Sequence, residues 1–155
     1  MDEIEARNIY AEKYGDVDEV GFITNDKFGF TIGYSPDGLV GTDGAIECKS
    51  RRQKYQIETI LSDTMPVDYL VQIQTGLLVS ERKWIDFVSY CGGLPMFTKR
   101  VYPDAVVQQA ILDAASGFEQ RIQAAMEKYG AALADTDKRL VPTERKIYVE
   151  QEMIV

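Results

Sequence analysis

The sequence predicts a mixed α/β fold with a central sheet, and three observations carry that prediction. The elements run in the order helix, strands, helices, strands, long helix. An Asp-Gly turn lies between two apolar runs, a strong local hairpin signal. A long amphipathic stretch follows the last strands. The 155 residues have the length of one domain and can bury a substantial core without staples, so residues 1–155 are read as a single domain.

Taken in order, residues 3–14 (EIEARNIYAEKY) predict a short helix ended by Gly15. Residues 17–23 and 28–34, rich in Val, Ile, Phe and Thr, predict two strands separated by the turn-prone Thr24-Asn25-Asp26-Lys27. Ser35-Pro36-Asp37-Gly38 is a tight segment, followed by Leu39-Val40-Gly41 and the turn Thr42-Asp43-Gly44. Ala45–Lys49 then predicts a strand. Residues 54–63 fit a short helix, and Pro66 suits the start of another that runs to about Val79. Lys83–Tyr90 and Pro95–Tyr102 predict strands joined through Cys91-Gly92-Gly93. From Asp104, a plausible N-cap, to about Leu133 apolar residues recur at helical spacing: Val107, Ala110, Ile111, Ala114, Phe118, Ile122, Ala125 and Tyr129. The tail alternates at Ile147 and Val149, as an edge strand or a partner-packing segment would.

Composition removes several functional classes. No apolar stretch approaches the roughly 20 residues needed to span a bilayer, and no basic-then-apolar opening marks a secretory signal. Cys48 and Cys91 are isolated in sequence and, with no export signal, read as reduced thiols, which points to an intracellular, cytoplasmic setting, while the lack of an apolar span argues against a membrane partner. The net charge of −8 argues against coating nucleic acid by bulk electrostatics, but not against a carboxylate cluster that binds cations. The chain has no histidine, which excludes the Ser-His-Asp triad, His-based zinc hydrolysis and His general-base chemistry.

What remains is chemistry by carboxylates, lysine, tyrosine, the two thiols or a metal held by oxygen ligands, and Asp37, Glu47 and Lys49 form the first candidate constellation. Glu47 and Lys49 are two apart on a predicted strand and share a face, while Ile46 and Cys48 face the other way. With a Thr42-Asp43-Gly44 loop, Gly41 pairs with Ala45, Asp37 comes opposite Lys49, and Asp37 and Glu47 are diagonal neighbours. A slip of one residue would put the two carboxylates on opposite faces. Two carboxylates and a backbone carbonyl suit a hard ion such as Mg²⁺, with Lys49 placed to orient water or offset phosphate charge. Glu-x-Lys alone is common, and a solvent-facing salt-bridged hairpin is its plain alternative.

The longer string GYSPDGLVGTDGAIECKS (33–50) resembles the catalytic core of the lambda-exonuclease and YqaJ-type viral recombinase family, within the PD-(D/E)xK restriction-endonuclease-like nucleases. Pro36-Asp37 stands for the PD and Glu47-Cys48-Lys49 for the ExK. Upstream, Glu3 in EIEAR matches the family helix that contributes a further acidic residue. Downstream, YLVQIQTGLLVSERKWIDFVSY (69–90) resembles the glutamine-bearing helix and the strand after it.

The resemblance implies a restriction-endonuclease-like core, a central mixed sheet flanked by helices with a long C-terminal helix. It implies that Asp37, Glu47 and the Cys48 carbonyl bind Mg²⁺, with Mn²⁺ as a substitute, and that Lys49 positions the water. Glu3 would reach the metal from its helix, with Glu5 as competitor and a favourable first-turn charge as the plain alternative. Gln72 is the glutamine assigned to the site; Gln74 has the weaker claim, and a structural hydrogen bond is the alternative for Gln72. Tyr69 and Trp84 read as packing residues. Arg51, Arg52 and Lys54 are candidate DNA contacts, with a solvated basic loop as the alternative, and Lys99-Arg100 reads as strand-end charge.

The activity implied is 5′ to 3′ degradation of linear double-stranded DNA for recombination, in a phage or prophage setting. The implied partners are DNA ends, further copies in a trimer, and a single-strand annealing protein. Relatives carry a helical region ahead of the helix holding Glu3 that has no counterpart here. A shortened gene, a piece trimmed to the core, or a minimal form whose oligomer supplies the missing walls would each account for that. End recognition and processivity are then in question, and the first helix is expected to fray. A catalytically silent remnant that binds DNA or a recombination partner, and an endonuclease on the same core, are the competing readings.

Overall fold

Helix α1 (Asp2–Tyr14) opens the computed structural model, which describes residues 2–145. The chain divides into two compact units, separated in sequence between Gly117 and Phe118. In the first unit, β1 (Ile23–Asn25) and β2 (Ile32–Tyr34) form a small antiparallel pair. β3 (Gly38–Val40), β4 (Gly44–Ser50), β5 (Trp84–Tyr90) and β6 (Phe97–Val101) form the main sheet in that order. β4 and β5 are parallel and the other pairs antiparallel. A parallel pair needs a long crossover, supplied here by α2 (Gln53–Ser62) and α3 (Leu70–Ser80). Helix α4 (Ala105–Ala134) follows β6 and continues into the second unit.

Strand alternation gives the main sheet two apolar faces. Ala45, Ile85 and Phe87 pack with Tyr34, Ile73, Leu77 and Val79 on the α3 side. Ile46, Cys48 and Val88 pack with Ala6 and Tyr10 on the α1 side. Fully burying each large side chain contributes about 1.5–3 kcal/mol, so these two layers are the main source of stability. Glu47 and Lys49, at odd positions of β4, therefore face the α3 side.

Helix α1 carries Asp2, Glu3 and Glu5 in its first turn, where negative charge is favourable. Ser50 Oγ donates to Asp2 Oδ2 at 2.8 Å, while Ala6 and Tyr10 are buried. The expected fraying thus meets a tether at the first turn and an anchor in the core. Gly15 ends the helix at φ +130°, a conformation glycine adopts without a Cβ penalty. Asp104 accepts hydrogen bonds from the Val106 and Val107 amides at 2.9 and 3.1 Å, capping α4 as its sequence suggests.

Several boundaries differ from the sequence reading. The strand expected over 17–23 is divided between two partners. Asp18 exchanges both backbone hydrogen bonds with Leu39, and only Ile23–Asn25 pairs with β2. The strand expected over 28–34 shrinks to Ile32–Tyr34, and Gly29 at φ +83° marks the turn before it. Thr24 and Asn25 belong to β1 rather than to the turn. The helix expected from Pro66 begins as a 3₁₀ turn at Val67–Tyr69 before α3 proper. The hairpin loop is Gly41-Thr42-Asp43, because Val40 pairs with Gly44. This shifts the register by two residues from the expected pairing, so the face of every side chain is kept. Ile147 and Val149 lie outside the described residues.

In the second unit, the part of α4 from Phe118 onward exposes Phe118, Ile122, Met126, Tyr129 and Leu133. The amphipathic pattern is real, but no residue of α4 is fully buried among the described residues.

Candidate active site

The sequence places Asp37, Glu47 and Lys49 around one hairpin, and the fold sets their order. Continuing the β3–β4 register by one step puts Asp37 opposite Glu47 rather than opposite Lys49. Asp37 lies just ahead of β3 and donates its amide to the Ile46 carbonyl at 3.3 Å. Its Oδ2 accepts the Cys48 amide at 2.7 Å. In a strand the N–H and C=O of one residue project to the same side, so the Cys48 carbonyl also points toward Asp37. Arg7 of α1 donates to the Asp37 carbonyl at 3.2 Å and pairs with Glu19 at 2.6 Å, bracing the segment from outside.

Glu47 is only 2% exposed and is held by three side chains. Lys49 Nζ and Gln72 Nε2 both donate to Oε1 at 2.6 Å, and the Tyr34 hydroxyl donates to Oε2 at 2.6 Å. Gln72 comes from α3, on the helix face that also carries Tyr69 and Gly76. Gln74, by contrast, is buried and bonds the Tyr102 carbonyl and the Asp104 amide, both at 2.9 Å. It joins α3 to the start of α4.

Burial raises the Glu47 carboxyl above the usual range; hydrogen bonds from Lys49 and Tyr34 pull it back and the Asp37 charge pushes it further up. Burial alone would lower the Lys49 ammonium, but its hydrogen bond to Glu47 and the surrounding carboxylates raise it overall. Burial, then the Glu47 charge, raises Tyr34, which stays a neutral phenol donor. Burial, then Asp37, Glu47 and Glu3, pushes the Cys48 thiol up to about 12. A buried ion pair adds little net stability, because desolvation offsets the attraction. Stability alone is therefore a poor reason for this arrangement.

The donor set fits a hard cation. A carboxylate offers about four lone-pair sites. Hydrogen bonds occupy three on Glu47, and Asp37 Oδ1 accepts none from the described residues. A cation bound between the two carboxylates would offset both the burial of Glu47 and the Asp37 charge beside it. Among the described residues no three acidic, His or Cys side chains converge closely enough to hold a metal by themselves. Two carboxylates with a carbonyl and water is the arrangement Mg²⁺ accepts. Glu3 is exposed on α1 and its side chain makes no hydrogen bond among the described residues, although its charge acts on Cys48 and Lys49. It is not brought into contact with the carboxylate pair.

The basic stretch after β4 is divided. Arg51 is half-buried, donates to the Tyr69 hydroxyl at 2.7 Å, and lies 5.2 and 5.3 Å from the Tyr55 and Tyr69 rings. Its Nε is buried without a partner among the described residues. Arg52 is exposed at the start of α2, and Lys54 reaches Glu58 at 3.9 Å. Tyr69 packs 5.3 Å from Phe87, and Trp84 lies 3.5 Å from the Arg100 guanidinium.

Arg100 is more than strand-end charge: Nε and Nη2 grip Asp86 Oδ1 and Oδ2 at 2.8 and 2.9 Å. Tyr10 donates to the same Asp86 Oδ2 at 2.6 Å. Lys99 pairs with Asp63 at 2.9 Å. Sequence reasoning missed this network and Tyr34. The one signal for Tyr34 was its place at the end of a strand entering Ser35-Pro36-Asp37.

A family profile of the YqaJ-like viral recombinase domain matches residues 2–83, just over half of the chain. The chain belongs to this family. Of solved structures, this YqaJ-like chain is similar to an alkaline exonuclease, LHK-Exo, from Laribacter hongkongensis. The identity is 36%, the TM-score 0.77, and the match covers 85% of this chain and 70% of that one. The same enzyme in complex with dAMP matches with the same values. A third structure, SSO0001, shares 12% identity at a TM-score of 0.51, covering 76% of this chain and 57% of that one, and shows a likeness of fold alone. No curated protein sequence matches. The YqaJ-like chain is thus a nuclease of an exonuclease-like family on a mixed α/β core.

Proposed function

We propose that this chain is a Mg²⁺-dependent exonuclease that degrades linear double-stranded DNA. The observation that carries the reading is the buried Glu47 carboxylate beside Asp37, with Lys49 and Gln72 on its Oε1. Asp37, Glu47 and the Cys48 carbonyl hold the ion, with Mn²⁺ as a substitute. When bound, the ion polarises the phosphodiester and activates water. Lys49 orients that water and offsets charge building on the phosphate. Gln72 holds the Glu47 carboxylate, and Glu3 joins through water from α1. The dAMP in the Laribacter enzyme is a deoxynucleoside monophosphate, the class of product that stepwise hydrolysis releases.

The family resemblance adds 5′ to 3′ polarity, a phage or prophage setting, an annealing partner for the exposed strand, and a trimer. A ring of three copies would let a chain of net charge −8 gather some of its basic residues around DNA. Incubation with linear and with closed circular duplex, each with Mg²⁺ or chelator, tests the reading. Loss of the linear form alone, and only with Mg²⁺, is expected. Nicking of circles would replace the exonuclease with an endonuclease on the same core.

Arg51, Arg52 and Lys54 supply phosphate contacts, and Arg51 is the best held of the three. Arg51→Ala is expected to weaken DNA binding regardless of sequence and to lower the salt slope by about one. A fluorescence anisotropy titration at several salt concentrations measures both. An unchanged slope would assign Arg51 to packing against Tyr55 and Tyr69.

A further inference from the structure

Tyr34 lies outside the acidic motif and outside the main sheet, yet it makes a hydrogen bond at the centre of the site. We infer that Tyr34 is a positioning residue for the metal ion, its hydroxyl fixing the orientation of the Glu47 carboxylate. The inference rests on the reading that Asp37 and Glu47 hold a divalent cation.

Three observations carry it. Lys49 and Gln72 both donate to Oε1, so Tyr34 is the one donor to Oε2 among the described residues. Without it, Oε2 of this 2%-exposed carboxylate would have no donor among the described residues, and Lys49 and Gln72 would hold the group by Oε1 alone. The ring is itself locked: Tyr34 is 5% exposed and packs against the backbone of α3 at Gly76. A Cβ at Gly76 would lie 2.7 Å from Tyr34 Cζ and 2.8 Å from Cε1, so only glycine lets the ring sit where its hydroxyl meets Glu47. Finally, the contact spans two separate sheets. Tyr34 ends β2 and Glu47 lies in β4, so the small hairpin reports directly on the geometry of the site.

A partner that orients a metal-binding carboxylate typically changes metal affinity by about 10- to 100-fold when removed. The test is calorimetric titration of Mn²⁺ into the parent, Tyr34→Phe, Gly76→Ala and Glu47→Gln proteins, without DNA and well below their unfolding temperatures. Tyr34→Phe keeps the ring and deletes only the donor; Gly76→Ala keeps the donor and crowds the ring, together with Ile85 Cδ1 at 2.9 Å. The expected result is parent binding, at least about tenfold weaker binding in both Tyr34→Phe and Gly76→Ala, and none in Glu47→Gln. A purely structural role for Tyr34 would lower the melting temperature of the metal-free protein and leave the Mn²⁺ Kd unchanged. Parent-like or tighter Kd in folded Tyr34→Phe overturns the inference while leaving the cation site in place. If Tyr34→Phe does not fold, Gly76→Ala decides, with Gln72→Ala titrated alongside as reference. Parent-like Kd in Gly76→Ala overturns the inference, and so does a loss no greater than that of Gln72→Ala, since both residues lie on α3. No binding by the parent, or parent-like binding by Glu47→Gln, overturns the site and the inference together.

Discussion

Lys49→Ala is expected to reduce DNA hydrolysis by at least about 100-fold while leaving the chain folded. The ammonium sits on Glu47 Oε1 at 2.6 Å, and Tyr34 and Gln72 remain to hold that carboxylate when it is gone. Its Nζ also lies 5.8 Å from the centroid of the Tyr69 ring. Some loss of packing is therefore expected, but far less than a change that unfolds the protein. The two effects separate in a single experiment. Circular dichroism and thermal melting report the fold, and release of acid-soluble nucleotide reports the chemistry. A folded Lys49→Ala protein that cleaves as well as the parent would remove Lys49 from the mechanism.

Arg100→Ala is expected to have the largest effect on stability, about 3 kcal/mol. That value is the lower end of the range for breaking a buried ion pair, chosen because the Arg100 side chain is 43% exposed while Asp86 is 6% exposed. Removing the guanidinium leaves the Asp86 carboxylate in the α1-side layer with Tyr10 as its remaining partner, and takes away the cation stacked on Trp84. Urea denaturation measures the difference as a shift in midpoint at constant slope. Asp86→Asn combined with Arg100→Ala should recover part of the loss, since no buried charge is then stranded. A cost below about 1 kcal/mol for Arg100→Ala would mean the pair behaves as a surface salt bridge.

These two residues also show where the sequence was legible. Lys49 could be placed because strand alternation alone puts it on the face of Glu47. That inference survived an error in the loop, since a displacement of two residues preserves every face. Gln72 was separable from Gln74 by helical periodicity: two positions along a helix turn the side chain about 200°, away from Glu47 and toward the start of α4. Arg100 was not legible. Its partner Asp86 is on the neighbouring strand β5, and nothing local distinguishes a buried bidentate pair from a charged strand end. Tyr34 was hidden for the same reason, since its contact is set by how the β1–β2 hairpin and α3 pack, not by spacing. The strand over 17–23 was overdrawn because propensity registers Val, Ile and Phe, but not that Asp18 and Ile23 pair with different strands. Glu3 was placed by resemblance, and the structure leaves its side chain exposed at the edge of the site.

The most direct test of the central claim is degradation of linear duplex DNA carrying a 5′ phosphate and a label on each strand. It is run with Mg²⁺ and with chelator, for the parent and for Glu47→Gln. Mg²⁺-dependent, stepwise loss of the strand from its 5′ end by the parent, absent in chelator and in Glu47→Gln, is the result predicted. A folded parent protein that degrades nothing in Mg²⁺ or Mn²⁺, or a Glu47→Gln protein that degrades as fast as the parent, would contradict it.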